Sequence, residues 1–303
     1  MVLTYNRANL LKETIDSILN QTIEDFEVII VDNYSMDSTE QVVKSFTDKR
    51  IKYFKNENHG QLSVNRNYAI KKSIGEYIAI CDDDDLWLSN KLEKQLSEFD
   101  KYKDIGLICT NGYTFNESNE ELKIGKSINS KINFKDLLFE NIITCSSILV
   151  KKNVLDDVGI FDESLEIATV EDYELWLRIA KKYTIKYLGV PLIKYRIHSG
   201  ALTKTYLKND KSLKLMRVIY KKLLQKEIID NTVYRRAIKR SNYQFLIYDI
   251  LTHKETMNFK KIIKTDTSFW EKLRLVSIYF LYYFGLLDLL RHIHLNRNIL
   301  HIR

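Results

Sequence analysis

Proline is almost missing from this sequence: Pro191 stands alone among 303 residues, beside nine glycines and three cysteines. Linkers rich in Pro or Gly and low-complexity tracts are thereby excluded. The cysteines, Cys81, Cys109 and Cys145, are odd in number, widely spaced and set in apolar runs. They read as small buried hydrophobes of a reducing compartment, with neither zinc spacing nor a disulfide pattern. A long apolar run is lacking too. The most apolar stretch, from Val276 to Leu290, is interrupted by Ser277, Gly285 and Asp288 and falls short of the ~20 residues that span a bilayer. Met1 to Arg7 carry no basic region followed by an apolar core, so no secretory signal is read there. The expected location is the cytoplasm, with attachment to the inner face of the plasma membrane as a variant.

What is present is the balance of an ordinary folded enzyme: 47 Lys and Arg against 40 Asp and Glu, and 45% hydrophobic residues. The net charge of +7 suits a phosphate-bearing ligand or an anionic membrane surface, and by itself selects no partner. No nucleic-acid partner is expected. Through about Gly200 acids and bases are mixed, whereas the remainder is rich in Lys, Arg and aromatics.

The first third alternates between two periods. Leu11, Ile15, Ile18 and Leu19 recur at helical spacing, and Phe26 to Val31 is a β-branched run ending at Asp32. Asp37 or Ser38 is placed to cap a helix bearing Val42, Val43 and Phe46, with Glu40 completing a capping box. Arg50 to Phe54 reads as a strand, Gln61 to Ser73 as a helix, and Tyr77 to Cys81 as a strand running into Asp82-Asp83-Asp84-Asp85. Such alternation predicts an α/β fold with a doubly wound, mostly parallel sheet. The strand before the first helix looks nearly missing, since only Val2 and Leu3 precede Thr4. Farther on, Gly106 to Thr110, Ser146 to Val150, Ile185 to Leu188 and Leu192 to Ile197 read as strands, and Val170 to Lys181 as a helix. Beyond Ala201 the pattern is helical, giving a catalytic domain over 1–204 and a helical appendage over 205–303.

In such sheets ligands bind beyond the carboxyl ends of the strands, where Asp32 and the aspartate run both fall. Four adjacent carboxylates repel one another unless a cation or solvent relieves them. Mg2+ or Mn2+ there would bridge protein to a diphosphate; the alternative is a solvated acidic loop capping the helix from Ser89. Asp32 suits a hydrogen bond to a base or ribose, or a plain turn. Glu171-Asp172 opens a helix, so either residue is a candidate general base or simply a favourable charge on the helix dipole. His198 sits where strand gives way to loop, as a structural residue or a metal ligand.

Taken together, these residues resemble family 2 glycosyltransferases with the GT-A fold. The resemblance is carried by Thr4-Tyr5-Asn6-Arg7, Val31-Asp32-Asn33-Tyr34-Ser35-Met36-Asp37-Ser38-Thr39, Asn65-Arg66-Asn67, Gly75 to Trp87 and Glu171 to Trp176, in order and approximate spacing over residues 1–204. Leu3 stands where the family usually has proline. The resemblance implies that Thr4, Asp32 and Arg66 bind the nucleotide and that Asp82-Asp83-Asp84 is the DxD motif. Asp84 would then be a direct metal ligand, Asp82 would contact metal-bound water or ribose, and Asp83 would lie in the nucleotide-sugar site. Asp172 is implied as the catalytic base with Glu171 beside it, and His198 as a group approaching the metal or diphosphate. The implied activity is inverting, Mn2+- or Mg2+-assisted transfer from a nucleotide-diphosphate sugar, UDP being the expected nucleotide, to a glycan or lipid-linked acceptor. The rivals are a scaffold of the same fold that binds sugar nucleotides with little turnover, and a nucleotidyltransferase. The second is disfavoured because no Gly-rich phosphate loop opens the chain. The basic, aromatic appendage is read as a membrane-surface segment, a cap on the catalytic domain, or a contact to a second copy of the chain.

Overall fold

The structure, a computed structural model, describes residues 1–116, 121–124, 130–198, 211–252 and 269–283. The chain forms two compact units, 1–199 and 200–303. The first unit opens with β1 (Val2–Thr4), α1 (Ala8–Leu19), β2 (Val28–Asp32), α2 (Thr39–Ser45), β3 (Ile51–Lys55), α3 (Leu62–Lys72), β4 (Tyr77–Ala79) and β5 (Cys81–Asp82). Four of these strands make a parallel sheet in the order β3-β2-β1-β5. Every residue of β2 is buried, as expected of a parallel strand covered on both faces. Leu11, Ile15 and Ile18, on one face of α1, join Val2, Val28, Ile30 and Cys81 in the core.

The strand that looked nearly missing is an inner strand of this sheet. Three residues suffice because β1 pairs on both sides, Val2 with Ile30 and Cys81, and Thr4 with Asp32. The single strand expected over Tyr77 to Cys81 is two strands in two sheets. β4 pairs antiparallel with β10 (Leu149–Lys151), whereas β5 pairs parallel with β1. Alternation of side chains identifies a strand but not its neighbours, so the switch at Ile80 left no mark in the periodicity.

The remaining elements of this unit are β6 (Leu86–Trp87), α4 (Lys91–Lys101), β7 (Ile105–Phe115), β8 (Glu121–Ile124), β9 (Ser130–Ile132), α5 (Phe134–Leu137), α6 (Lys152–Val158), α7 (Glu171–Lys182) and β11 (Thr184–Arg196). A second, mixed sheet runs β4-β10-β7-β11-β6, with β8 on β7 and β9 on β11. The two strands expected on either side of Pro191 are the one strand β11, which runs parallel to β7 with register shifts flanking the proline. A residue without an N–H interrupts a ladder there without ending the strand. The strand expected from Ser146 begins instead as a 3-10 turn over Cys145–Ser147. The capping box is also absent: Glu40 pairs with Lys44 and Lys55. Asp37 Oδ1 accepts from Thr39 N and Oγ1, and its Oδ2 accepts from Ala8 N. The second unit contains α8 (Lys211–Gln225), α9 (Asn231–Thr252) and α10 (Phe269–Tyr283). All three cysteines are free and buried.

Candidate active site

The loops that leave β1 and β2 are stitched together at the carboxyl end of the parallel sheet. Asp32 is fully buried; its Oδ1 accepts from Ser35 N at 2.8 Å and Ser35 Oγ at 2.6 Å, and its Oδ2 from the Tyr53 hydroxyl at 2.5 Å. Burial, reinforced by the Asp32 carboxylate, pushes the Tyr53 phenol well up. Asn6 N donates to Ser35 Oγ, and Asn6 Oδ1 accepts from Met36 N. Asn6 and Tyr34 take left-handed φ angles of 52° and 59°, a region that asparagine tolerates better than most residues. This leaves Tyr5 and Tyr34 exposed beside buried Thr4 and Asp32.

Asp82 to Asp85 occupy four different environments. Asp82 Oδ1 lies 3.7 Å from Arg66 Nη2. Burial raises the Asp82 carboxyl, the Asp84 and Glu171 charges add to it, and Arg66 opposes them. Asp83 is buried and bonds Arg7 Nη1 at 2.8 Å; burial still pushes it up to about 6. Asp84 Oδ2 lies 2.8 Å from the same Nη1 and 3.0 Å from His198 Nε2. Asp85 is fully buried and acts as an anchor. It accepts from Ser146 Oγ at 2.5 Å and from Arg196 N at 3.0 Å, and burial raises its carboxyl well above the usual range. Ser146 Oγ in turn accepts from Asp82 N at 3.0 Å, so one serine holds both ends of the turn.

Arg66 connects this turn to the start of α7. Buried on α3, it pairs with Glu171 through Nη1 while Nη2 faces Asp82. α3 buries Ser63, Asn65, Arg66 and Asn67 as well as Ala69 and Ile70, so a largely polar face is turned inward. Polar groups are kept inside only when they are bonded. Asn67 meets this by accepting from Phe161 N and donating to Phe161 O. Asp172, next to Glu171, is half-buried. Burial, then the Glu171 charge and more weakly Asp82, push its carboxyl up to about 7 against the pull of Arg66 and the Tyr173 N–H. Thr169, just before α7, takes a φ of 94° and donates its N–H to Glu171 Oε2 at 2.6 Å. A β-branched residue in that region is strained, so the entry to α7 is held in place by its partners.

Residues 1–159 match the model of the family Glycosyl transferase family 2. The chain belongs to glycosyltransferase family 2. An uncharacterized glycosyltransferase of Rickettsia typhi is 32% identical over 249 residues, which cover 80% of this chain and 75% of that protein. A second, from Rickettsia felis, is 36% identical over 203 residues, 64% of this chain but only 33% of the relative. WfgD of Escherichia coli, named as a UDP-Glc:alpha-D-GlcNAc-diphosphoundecaprenol beta-1,3-glucosyltransferase, is 31% identical over 68% of this chain and 79% of its own length. Staphylococcus aureus TarS 1-349 in complex with UDP-GlcNAc superposes with a TM-score of 0.64 at 18% identity, covering 91% of this chain and 78% of that one. A Pyrobaculum calidifontis mannosyltransferase in complex with GDP-Man and Mn2+ gives 0.59 at 16% identity, covering 98% and 80%. The fold is therefore that of the GT-A glycosyltransferases.

Within this family 2 glycosyltransferase, the expected metal ligands are only partly brought together. Asp84 and His198 meet, while Asp82 turns toward Arg66. Among the described residues no group of three His, Cys, Asp or Glu side chains is arranged to hold a metal ion. The pair that does meet fits a hard divalent cation all the same. Adjacent ligands about 2.1 Å from an octahedral ion lie about 3 Å apart, and Mg2+ commonly takes one or two carboxylates with water and substrate phosphates completing its shell. Arg7 was read as part of a motif but given no role, and Ser146 and Arg178 were not singled out as site residues. The place of Arg7 in Thr4-Tyr5-Asn6-Arg7 was the available hint. Ser146 lies in a segment read as strand, and Arg178 stands four residues after Glu174, an i,i+4 ion-pair spacing that is legible.

Proposed function

We propose that this chain is an inverting, divalent-metal-dependent glycosyltransferase that moves a sugar from a UDP-linked donor to a hydroxyl of a glycan or lipid-linked acceptor. The observation that carries it is the position of Arg66, which faces Asp82 of the acidic turn and Glu171 at the start of α7. One cation thereby joins the donor-binding turn to the helix that carries a carboxylate suited to take a proton near neutral pH. Asp172 deprotonates the acceptor hydroxyl. The resulting oxygen bonds to the anomeric carbon as the bond from that carbon to the diphosphate breaks, and a single displacement inverts the configuration. Asp84 and His198 would hold Mn2+ or Mg2+, which supplies positive charge to offset that developing on the leaving group. Thr4 and Asp32, at the carboxyl ends of β1 and β2, bind the nucleotide portion, and Asp82 lies toward its ribose.

The activity for which WfgD is named and the UDP-GlcNAc complex of TarS support the UDP and lipid-linked parts of this reading. We further propose that the chain works from the cytoplasm, at the inner face of the plasma membrane, where a nucleotide sugar and a lipid-linked acceptor would meet. The test is a thermal-shift panel of UDP-glucose, UDP-GlcNAc and GDP-mannose with Mn2+ or with EDTA, followed by transfer assays. A UDP-sugar should raise the Tm only with Mn2+, because a ligand that binds only the native state stabilises it, and Asp84→Ala should remove that shift. A panel with no metal-dependent shift overturns the proposal.

A further inference from the structure

Arg7 immediately precedes α1, and its side chain is 27% exposed against 7% for Asp83 and 14% for Asp84. One guanidinium nitrogen, Nη1, lies 2.8 Å from a carboxylate oxygen of each. The neighbouring aspartates find other partners: Asp82 faces Arg66, and Asp85 accepts from Ser146 and the Arg196 amide. Arg7 thus supplies positive charge to the middle of the turn, at Asp83 and Asp84.

Asp84 Oδ2 meets both Arg7 Nη1 and His198 Nε2, and a carboxylate oxygen offers about two lone-pair sites. A divalent cation can bind that oxygen only if one neighbour gives way. His198 can stay, because a neutral imidazole nitrogen can become a ligand and its 3.0 Å spacing from Oδ2 is that of adjacent ligands, about 3 Å for an octahedral ion. Arg7 cannot stay: a guanidinium has no acceptor and does not lose its charge. We infer that Arg7 is a built-in counter-ion of the aspartate turn, which a divalent cation must displace in order to bind, so that Arg7 sets the metal affinity of the free protein. The inference rests on the metal-dependent reading above.

The test is Mn2+ binding to the full chain, followed by the electron paramagnetic resonance of free Mn2+, without nucleotide and then at saturating UDP. Arg7→Gln should bind Mn2+ alone about 10-fold or more tighter than wild type, the scale of a lost hydrogen bond between charged groups. Arg7→Lys keeps the charge and should stay within about threefold of wild type. Arg7→Gln binding no tighter than wild type, or Arg7→Lys binding as tightly as Arg7→Gln, overturns the inference. Should Arg7→Gln fail to fold, the wild-type protein still decides: Mg2+ must move the 15Nε resonance of Arg7 with the midpoint of Mg2+ binding, and an unmoved resonance at saturation refutes displacement. Wild type that takes up no Mn2+ even at saturating UDP fails the metal-dependent reading itself. Wild type that binds Mn2+ with UDP but is matched by Arg7→Gln in Mn2+ alone fails only the role of Arg7.

Discussion

Burial and the charge of Glu171 push the Asp172 carboxyl up to about 7. In the proposed role of base it would act only when deprotonated, so the transfer rate should rise with pH through about 7 and level off above. Asp172→Asn should lower transfer by about 10²-fold or more while leaving donor binding near wild type. Near-normal transfer by that variant would move the base elsewhere. The same shift has a stability signature. A carboxyl whose folded value lies above its ordinary 3.8 favours folding at low pH, and that contribution is lost as pH rises through about 7. Asp172→Asn should therefore gain Tm over wild type at pH 8, with the gain shrinking toward pH 5. At this scale the sequence revealed residue types and order but not neighbours. The resemblance put Asp84 and His198 at one expected site, and their side chains lie 3.0 Å apart. Arg7 follows β1 whereas Asp83 and Asp84 follow β5, so nothing local in the sequence pairs them.

Elements are where local rules read well and where tertiary packing overrode them. α1, α4 and α7 carry clear apolar faces, and their positions were visible; the split of Tyr77 to Cys81 and the merger across Pro191 were not, because pairing partners are chosen by the whole sheet. α7 is fixed by a clamp at its middle. Arg178 bonds fully buried Glu174 and donates to the carbonyls of Val158, Gly159 and Ile160, just before Phe161. Arg178→Leu should cost about 3–5 kcal/mol, the range for removing one partner of a buried ion pair, read by denaturant unfolding. Glu174→Leu with Arg178→Leu should recover part of it, since no unpaired charge then remains buried. On α4, fully buried Lys91 donates to Gln95 Oε1 at 2.8 Å and to Ile148 O at 3.3 Å, and Gln95 reaches Ser147 O. This ties α4 to the turn carrying Ser146. Burial brings Lys91 down from 10.5 to about 7. Between those values the unfolded chain binds more protons than the native one, so stability rises with pH. Wild type should gain on Lys91→Met from pH 7 to 9 by up to about 1.4 kcal/mol per pH unit. Parallel pH profiles of unfolding free energy would contradict this account.

The chain divides into two compact units between Ser199 and Gly200, where the composition expected a mixed-charge domain over 1–204 and a basic, aromatic appendage over 205–303. Among the described residues no helix is long and apolar enough to cross a membrane. The apolar run singled out in the sequence lies partly in α10, and residues 284–303 fall outside the described residues. Within α10, Trp270 is 74% exposed and Leu273 47% exposed, next to Lys272 and Arg274. Large apolar side chains flanked by cations suit a surface whose acyl boundary takes the first and whose anionic headgroups take the second. A lipid-linked acceptor would be met at such a surface. The full chain should therefore float with vesicles containing anionic lipid, more weakly at high salt because the headgroup attraction is screened. Trp270→Ser with Leu273→Ser should reduce flotation while leaving Tm near wild type, because both side chains are exposed. If both proteins stay at the bottom of the gradient while wild type alone sediments as a dimer, those residues meet a second copy of the chain rather than lipid.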